Sequence, residues 1–195
     1  MKAEDSIYYH QRVWEKMPFE NKGVRETQFE DCTFKNVDFT TVDLGGCNFT
    51  KCTFDTCNLS MVKFNYLTFD DVLFINCKLV GADFSPAKDF LFQVNFNNCN
   101  LDYVAFMKKK NRKAYFNNCS LKGADFSEAD LTYTVFEKCD LNTAVFMRSI
   151  LTNVNFVSSF NFTIDPEKNQ LKKAKFSTNG LAGLLTNYGI IVEDN

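Results

Sequence analysis

The side chains of this chain best suited to chemistry are its eight cysteines, which could act as nucleophiles, metal ligands or disulfide partners. A nucleophilic thiol needs a base beside it, and His10 is the only histidine in the 195 residues. The sequence also has no glycine-rich loop of the kind that cradles phosphate groups. We therefore predict a protein that is not an enzyme and that needs neither a metal nor another cofactor.

The spacing of the cysteines explains what they do instead, because each one lies two residues before a Phe or a Leu. These aromatic and aliphatic residues recur at every fifth position from Phe29 to Phe84 and, after a break, from Phe96 to Phe156, with Asn111 as the exception. We call them centre residues. The residue two positions earlier, the minus-two residue, is usually Cys, Ala, Val, Ser or Thr.

A period of five fits neither an amphipathic helix nor a flat strand. On an α-helix each step of five turns the side chain by about 140°, so the apolar residues would spiral around all sides. In a flat strand an odd spacing sends successive side chains to opposite faces. A chain that turns a corner once in five residues instead brings every centre and minus-two residue into one interior. The period thus predicts an all-β rod with buried, reduced thiols.

Units such as Cys47-Asn48-Phe49, Ala82-Asp83-Phe84 and Ala124-Asp125-Phe126 consist of Ala or Cys, Asp or Asn, and Phe or Leu, followed by two polar residues. In this pattern the chain resembles the pentapeptide-repeat family over residues 27–181. The resemblance implies a right-handed quadrilateral parallel β-helix with four units per coil. Residues about 20 apart then stack, which places five thiols in one interior column: Cys57, Cys77, Cys99, Cys119 and Cys139.

The two ends of the chain depart from the repeat. Residues 1–26 are predicted to form an irregular N-terminal cap: Trp14, Phe19 and Val24 keep the five-step spacing, but Arg12 and Lys22 would point inward. Residues 182–195 are predicted to form a helix and a strand. The spacing of Leu181, Leu184, Leu185 and Tyr188 is that of a short amphipathic helix, Gly189 can end it, and residues 190–192 follow as a strand.

This apolar end could simply cap the open β-helix, or it could be a two-fold dimer interface. We favour the dimer, with an interface made of Leu181, Leu184, Leu185, Tyr188, Ile190 and Ile191.

Two irregular segments, residues 85–93 and 107–113, fall on the same face in successive coils. They predict one protruding patch, the predicted loop patch, made of Phe90, Leu91, Phe92, Lys108, Lys109, Lys110, Arg112 and Lys113. Two interpretations stay open. The aromatic residues could fold back beside a solvated lysine run, or the patch could contact a partner.

Within the family the chain is most similar to the topoisomerase-protecting members, namely quinolone-resistance proteins and immunity proteins for albicidin and microcin. The closer resemblance lies in residues 29–34, in the break midway, and in the C-terminal runs 181–185 and 189–192. It implies a dimeric rod that mimics DNA and binds DNA gyrase or topoisomerase IV, protecting it against poisons. The acidic surface would comprise Asp38, Asp43, Asp55, Asp83, Asp125, Asp130 and Asp140.

Charge and hydropathy limit the alternatives. The net charge of −2 predicts no direct binding to nucleic acid or to an anionic membrane. The first twenty residues mix charges with apolar positions, so neither a signal peptide nor a membrane span is expected, and the predicted location is the cytoplasm. A competing hypothesis is a structural or adaptor module that binds some other protein through the predicted loop patch.

Overall fold

The computed structural model describes residues 7–15 and 24–191. The chain winds into a parallel β-solenoid, which confirms the predicted quadrilateral β-helix. The described residues contain eleven short strands: β1 (Tyr8–His10), β2 (Val13–Glu15), β3 (Gln28–Glu30), β4 (Thr33–Lys35), β5 (Asn48–Thr50), β6 (Thr53–Asp55), β7 (Thr68–Asp70), β8 (Val72–Ile75), β9 (Val94–Asn97), β10 (Tyr115–Asn117) and β11 (Val135–Glu137).

The strands form two parallel sheets on adjacent faces of the rod. One sheet has the order β1-β3-β5-β7, and the other has the order β11-β10-β9-β8-β6-β4-β2. The register follows the predicted coil length, since Phe34 pairs with Phe54 and Phe54 pairs with Phe74. Phe74 then pairs with Phe96, so the coil that contains the break is two residues longer. The first sheet ends at β7, in the coil before this break.

The interior is filled by stacked rings. Phe34 and Phe54 have centroids 4.7 Å apart, Phe54 and Phe74 are 4.9 Å apart, and both pairs are nearly parallel. Neighbouring faces meet edge to face, as in the pair Phe29–Phe34. These are the arrangements that aromatic quadrupoles favour. Full burial stabilises the fold by about 1.5–3 kcal/mol for each such side chain, so the repeated Phe is the main driving force of folding.

Most corners are made by a residue in the left-handed region, two positions after a centre residue. Asn36, Thr56 and Asn76 have φ values of 53°, 56° and 52°. Asn adopts this conformation more readily than most residues, but Thr does so only at some cost. Where the residue before the centre is Asp, it supports the turn, because its side-chain oxygen accepts the backbone N–H two positions on, as Asp83 does from Ser85 at 2.9 Å. The corner proposed from the period of five thus has a definite backbone geometry.

The predicted N-terminal cap is wrong over residues 7–15. Strands β1 and β2 pair in parallel register with β3 and β4. The solenoid therefore begins one coil earlier than the predicted start at residue 27. The Trp14 ring stacks on Phe34 at 4.9 Å, which supplies the packing that a centre residue would. Arg12 is exposed rather than inward. Phe19 and Lys22 lie outside the described residues.

The predicted C-terminal helix is formed as three short helical segments. A 3-10 turn at Thr178–Gly180 leads into helix α1 (Ala182–Leu185) and a second 3-10 turn (Thr186–Tyr188). Gly189, with φ of 66°, ends the segment as predicted. The expected strand is not formed at Ile190 and Ile191, and Val192 lies outside the described residues. None of the helices in the described ranges has the length and apolar character needed to cross a membrane.

Candidate partner-binding surface

The inserted segment between residues 85 and 93 presents two apolar side chains to solvent. Phe90 is 74% exposed and Leu91 is 53% exposed, and Leu91 has a left-handed φ of 57°. Phe92 does not belong to this surface, because it is only 4% exposed. Its ring lies 6.2 Å from both Phe69 and Phe84, so it fills the rod in place of a centre residue. Its assignment to the predicted loop patch is therefore wrong.

Lys109 is likewise buried, with 3% of its surface exposed, although it was assigned to the predicted loop patch. Its Nζ donates hydrogen bonds to the Ala87 carbonyl oxygen at 2.6 Å and to Asp89 Oδ1 at 2.7 Å. The same ammonium lies 5.5 Å from the centroid of the Phe92 ring. A buried cation needs such partners, and all of them come from the inserted segment one coil earlier.

Asn111 replaces a centre Phe or Leu and is completely buried. Its side-chain amide accepts a hydrogen bond from the Val94 N–H at 3.1 Å and donates one to the Val94 carbonyl oxygen at 3.0 Å. The neighbouring Asn95 Oδ1 accepts the Tyr115 N–H at 2.9 Å. The side chains of these two asparagines thus form hydrogen bonds with backbone groups beside the insertion that would otherwise lack partners.

The remaining basic residues of the predicted loop patch are exposed. Arg112 is paired with Asp130 at 2.5 Å. Lys108, Lys110 and Lys113 form no ion pair with any residue in ranges 7–15 and 24–191. We define the loop surface as the residues that are exposed and available to a partner: Phe90, Leu91, Lys108, Lys110 and Lys113. It combines two apolar side chains with three free positive charges.

The acids expected to form an acidic surface are largely engaged in turns. Six of the seven accept the backbone N–H two residues further on: Asp38, Asp43, Asp83, Asp125, Asp130 and Asp140. Three of the seven also form ion pairs, with Arg25, Arg112 and Lys122.

Asp130 is only 4% exposed, so its assignment to the acidic surface is wrong. Burial alone would raise the pKa of Asp130, but hydrogen bonds from Arg112 and Thr132 bring this pKa below its usual value. The backbone N–H of Thr40 similarly lowers the pKa of Asp38. These carboxylates therefore act mainly as hydrogen-bond acceptors in the corners of the solenoid.

All eight cysteines are buried and free of disulfides. In the predicted column, Cys57 and Cys77 donate from Sγ to the carbonyl oxygens of Phe34 and Phe54, at 3.3 Å each. Ser159 continues the column and makes the same bond to Phe136 at 2.9 Å. Burial raises the pKa of Cys47 to about 11 and the pKa of Cys52 to about 12, so neither is a ready nucleophile. The thiols act as small hydrogen-bonding core residues.

One group of side chains in the described ranges has metal-like spacing: His10, Glu30 and Asp31 have ligand atoms within 4.8 Å of one another. Glu30 already accepts a hydrogen bond from Tyr8 at 2.6 Å, and His10 lies 3.8 Å from Asp31. The three residues lie on the exterior of the first coils, where carboxylate clusters are common. Sequence reasoning missed the group because the residues meet only across two coils.

The C-terminal end carries a second apolar surface. Leu181, Tyr188 and Ile190 are exposed, and Ile191 is 84% exposed. Leu184 and Leu185, also predicted for the dimer interface, are half-buried, and Leu184 packs on the core. The predicted interface therefore consists of four exposed residues and two half-buried ones, of which Leu184 also supports the rod.

Comparison with known families and structures agrees with this architecture. Two family profiles match, one described as a pentapeptide repeat region over residues 27–106 and 47–126, the other as pentapeptide repeats over residues 112–146. A comparison with curated protein sequences gives no significant match.

Two solved structures are similar in fold. Full-length QnrB1, a plasmid-mediated fluoroquinolone resistance protein, is 22% identical, with 94% of this chain and 100% of that chain covered and a TM-score of 0.48. HetL, a pentapeptide repeat protein involved in heterocyst differentiation regulation in the cyanobacterium Nostoc, is 15% identical, with 90% and 89% covered and a TM-score of 0.52. At 15% identity the likeness to HetL extends to the fold alone.

Proposed function

Because the chain belongs to the pentapeptide-repeat family, we propose that it is a non-catalytic rod that works by binding another protein, and that this protein is a bacterial type II topoisomerase. Binding would protect DNA gyrase or topoisomerase IV against quinolone-like or peptide poisons. The observation that carries the binding role is the exposure of Phe90 and Leu91 on an insertion whose neighbours are packed into the rod. The choice of topoisomerase rests on the sequence resemblance in residues 29–34, 181–185 and 189–192.

The two exposed apolar side chains support a binding role on physical grounds. A solvent-exposed Phe beside a Leu gains little for the folded chain, whereas buried aromatic anchors contribute most of the affinity of protein interfaces. The side chains project from a solenoid whose interior is closely stacked, so little ordering entropy would be lost on binding. The three free lysines of the loop surface would steer it toward an acidic partner surface.

DNA mimicry receives less support from the charges. Most of the acids assigned to the mimic surface cap turns or pair with basic residues, and Asp130 is buried. Competition with DNA for a basic enzyme surface would then depend on carboxylates whose charge is partly offset by turn N–H groups and by basic side chains. This favours a second candidate function, an adaptor module that binds a different protein through the loop surface.

We further propose a homodimer through the C-terminal end and a cytoplasmic location. The exposed Leu181, Tyr188, Ile190 and Ile191 would be covered in the dimer. In gel filtration with light scattering, the wild-type chain should run as a dimer, whereas Ile191→Asp and a chain lacking residues 181–195 should run as monomers. A monomeric wild-type protein at micromolar concentration would end the dimer proposal.

A supercoiling assay with purified gyrase tests the target. Wild-type protein should inhibit supercoiling or relieve inhibition by a quinolone, and the double substitution Phe90→Ala and Leu91→Ala should lose about tenfold in potency or more. Tyr103→Ala is the matched control, since Tyr103 is an exposed aromatic residue at a corner that contains no residue of the loop surface. If wild-type protein neither inhibits the enzyme nor relieves the quinolone, the topoisomerase proposal is wrong and the adaptor remains.

A further inference from the structure

We propose that Lys109 is a positioning residue that locks the inserted segment into one conformation, so that Phe90 and Leu91 meet the partner already ordered. The proposal extends the binding role above and rests on it for its biological meaning. The conformational part, however, concerns the free protein alone. It accounts for a buried charge that neither the repeat pattern nor the binding role requires.

The inserted segment has few anchors of its own near its tip. Its two ends are held by backbone hydrogen bonds, from Lys88 N to Leu67 O at 2.8 Å and from Gln93 N to Phe69 O at 2.9 Å. Between them lies one long backbone hydrogen bond, from Phe92 N to Asp89 O at 3.4 Å. The preceding strand β7 is the last of its sheet. Further contacts are therefore needed to fix residues 89–91.

Lys109 supplies those contacts from inside the rod. It occupies a minus-two position, where other coils have a small residue such as Ala129 or Ser149. Its long side chain reaches the Ala87 carbonyl and the Asp89 carboxylate, on the N-terminal side of the tip, and lies over Phe92 on the other side. One ammonium thus joins both sides of the tip.

Burial makes this contact selective for one conformation. An ammonium removed from water is costly unless it is paired and hydrogen-bonded, and both the paired carboxylate and the carbonyl oxygen belong to the segment. If the segment opened, Lys109 would lose both acceptors together. The ordered loop and the buried charge therefore require each other. Asp89 itself is largely exposed, so it can be changed without disturbing the core.

The same geometry indicates the chemistry of the partner. Phe90 and Leu91 need an apolar pocket, and the adjacent coil brings Lys108, Lys110 and Lys113 beside it without intramolecular ion pairs among the described residues. An apolar pocket on a protein, rimmed by Asp or Glu side chains, satisfies both requirements. We take this to be the kind of site the loop surface fits.

Limited trypsin digestion of the full chain tests the lock, because Lys88 is an exposed cleavage site in the segment. Wild-type protein should resist cleavage after Lys88. Lys109→Met keeps the aliphatic stem and removes the charge, and Asp89→Asn removes the partner charge from the outside. Lys109→Met should raise the cleavage rate by about tenfold, as expected when local opening becomes easier. Asp89 directly follows the cleaved bond and slows trypsin by itself, so the effect of Asp89→Asn is measured by hydrogen exchange instead.

Glu128→Gln is the matched control, because it removes the ion pair with Arg148 at 2.8 Å on a neighbouring corner and should leave cleavage after Lys88 unchanged. Hydrogen exchange provides the second measurement. The backbone amide of Phe92 should exchange faster in both loop variants, whereas the amides of β6 should not.

A purely structural role for Lys109 would give a different result: Lys109→Met would speed hydrogen exchange throughout the rod, and Asp89→Asn would leave hydrogen exchange unchanged. Unchanged hydrogen exchange in both variants, with unchanged cleavage in Lys109→Met, would also overturn the proposal. Neither measurement involves a topoisomerase, so a failed supercoiling assay would leave the lock intact. A failed lock, in turn, would leave the binding role to be judged by the Phe90 and Leu91 substitutions.

Discussion

Replacing Asn111 with Leu should destabilise the protein, although it restores the residue that the repeat pattern calls for. Asn111 is completely buried at a centre position, where the same face has Leu131 and Leu151 in the next two coils. From the pattern alone, Asn111→Leu should stabilise the protein, because it would remove a buried amide and add apolar contacts. The structure predicts the opposite sign, because the amide is bonded to both backbone groups of Val94.

The magnitude follows from the two opposing terms. Leu would gain about 1.5–3 kcal/mol from burial of its side chain. The loss of the amide leaves a buried N–H and a buried C=O without partners, at about 1–3 kcal/mol each. At the midpoints of these two ranges the balance is a destabilisation of about 2 kcal/mol. For a chain of this size, each kcal/mol lowers the melting temperature by about 2–4 °C.

Thermal and urea unfolding, each followed by circular dichroism, measure the effect. Hydrogen exchange at the Val94 amide should accelerate in Asn111→Leu, because this N–H loses its acceptor. Asn142→Leu is a control at an exposed asparagine and should change stability by no more than about 0.5 kcal/mol. An Asn111→Leu protein as stable as wild type, with normal protection of Val94, would refute the role given to the amide.

Three further outcomes are expected. Native protein should react with a thiol reagent at pH 8 only after denaturant is added, since all eight cysteines are buried; rapid native labelling would contradict the burial of the thiols. The pKa of Asp130 is lowered on folding, so its ionised form stabilises the protein above the usual Asp range and this contribution is lost as pH falls through the native pKa. Asp130→Asn should therefore lower the melting temperature at pH 7, and the difference from wild type should vanish in strong acid; a difference independent of pH would exclude this account. Gly123→Ala places a Cβ 2.7 Å from the Tyr103 ring at a φ of 65°, so it should cost about 1–2 kcal/mol, partly recovered by adding Tyr103→Ala; full additivity of the two changes would show that the ring contact is unimportant.

The repeat can be recognised in the sequence because it depends on local geometry. An apolar residue at every fifth position and a small residue two positions before it can share one interior only if the chain turns at each corner, and this argument needs no tertiary information. The place of the insertion followed from the break in the same series between Phe84 and Phe96. The C-terminal helical segment followed from its own spacing and from Gly189, because a helix and its end are encoded within a few residues.

The errors concern residues whose environment is supplied by another coil. Phe92 and Lys109 lie in the two irregular segments, which predicts that they are exposed, but a ring can fill a missing centre position and a lysine can be buried when the coil before it supplies a carboxylate. Asp130 was taken as a surface acid, although Arg112 and the corner enclose it.

The sequence alone thus determined the solenoid, its stacked core, the burial of the thiols and the position of the insertion, because each depends on a local period repeated many times. Only the tertiary structure decided which side chains of the insertion reach solvent and how Lys109 and Asn111 are satisfied. These outcomes depend on single pairings between residues about 20 positions apart, and a pairing that occurs once leaves no periodic trace in a sequence.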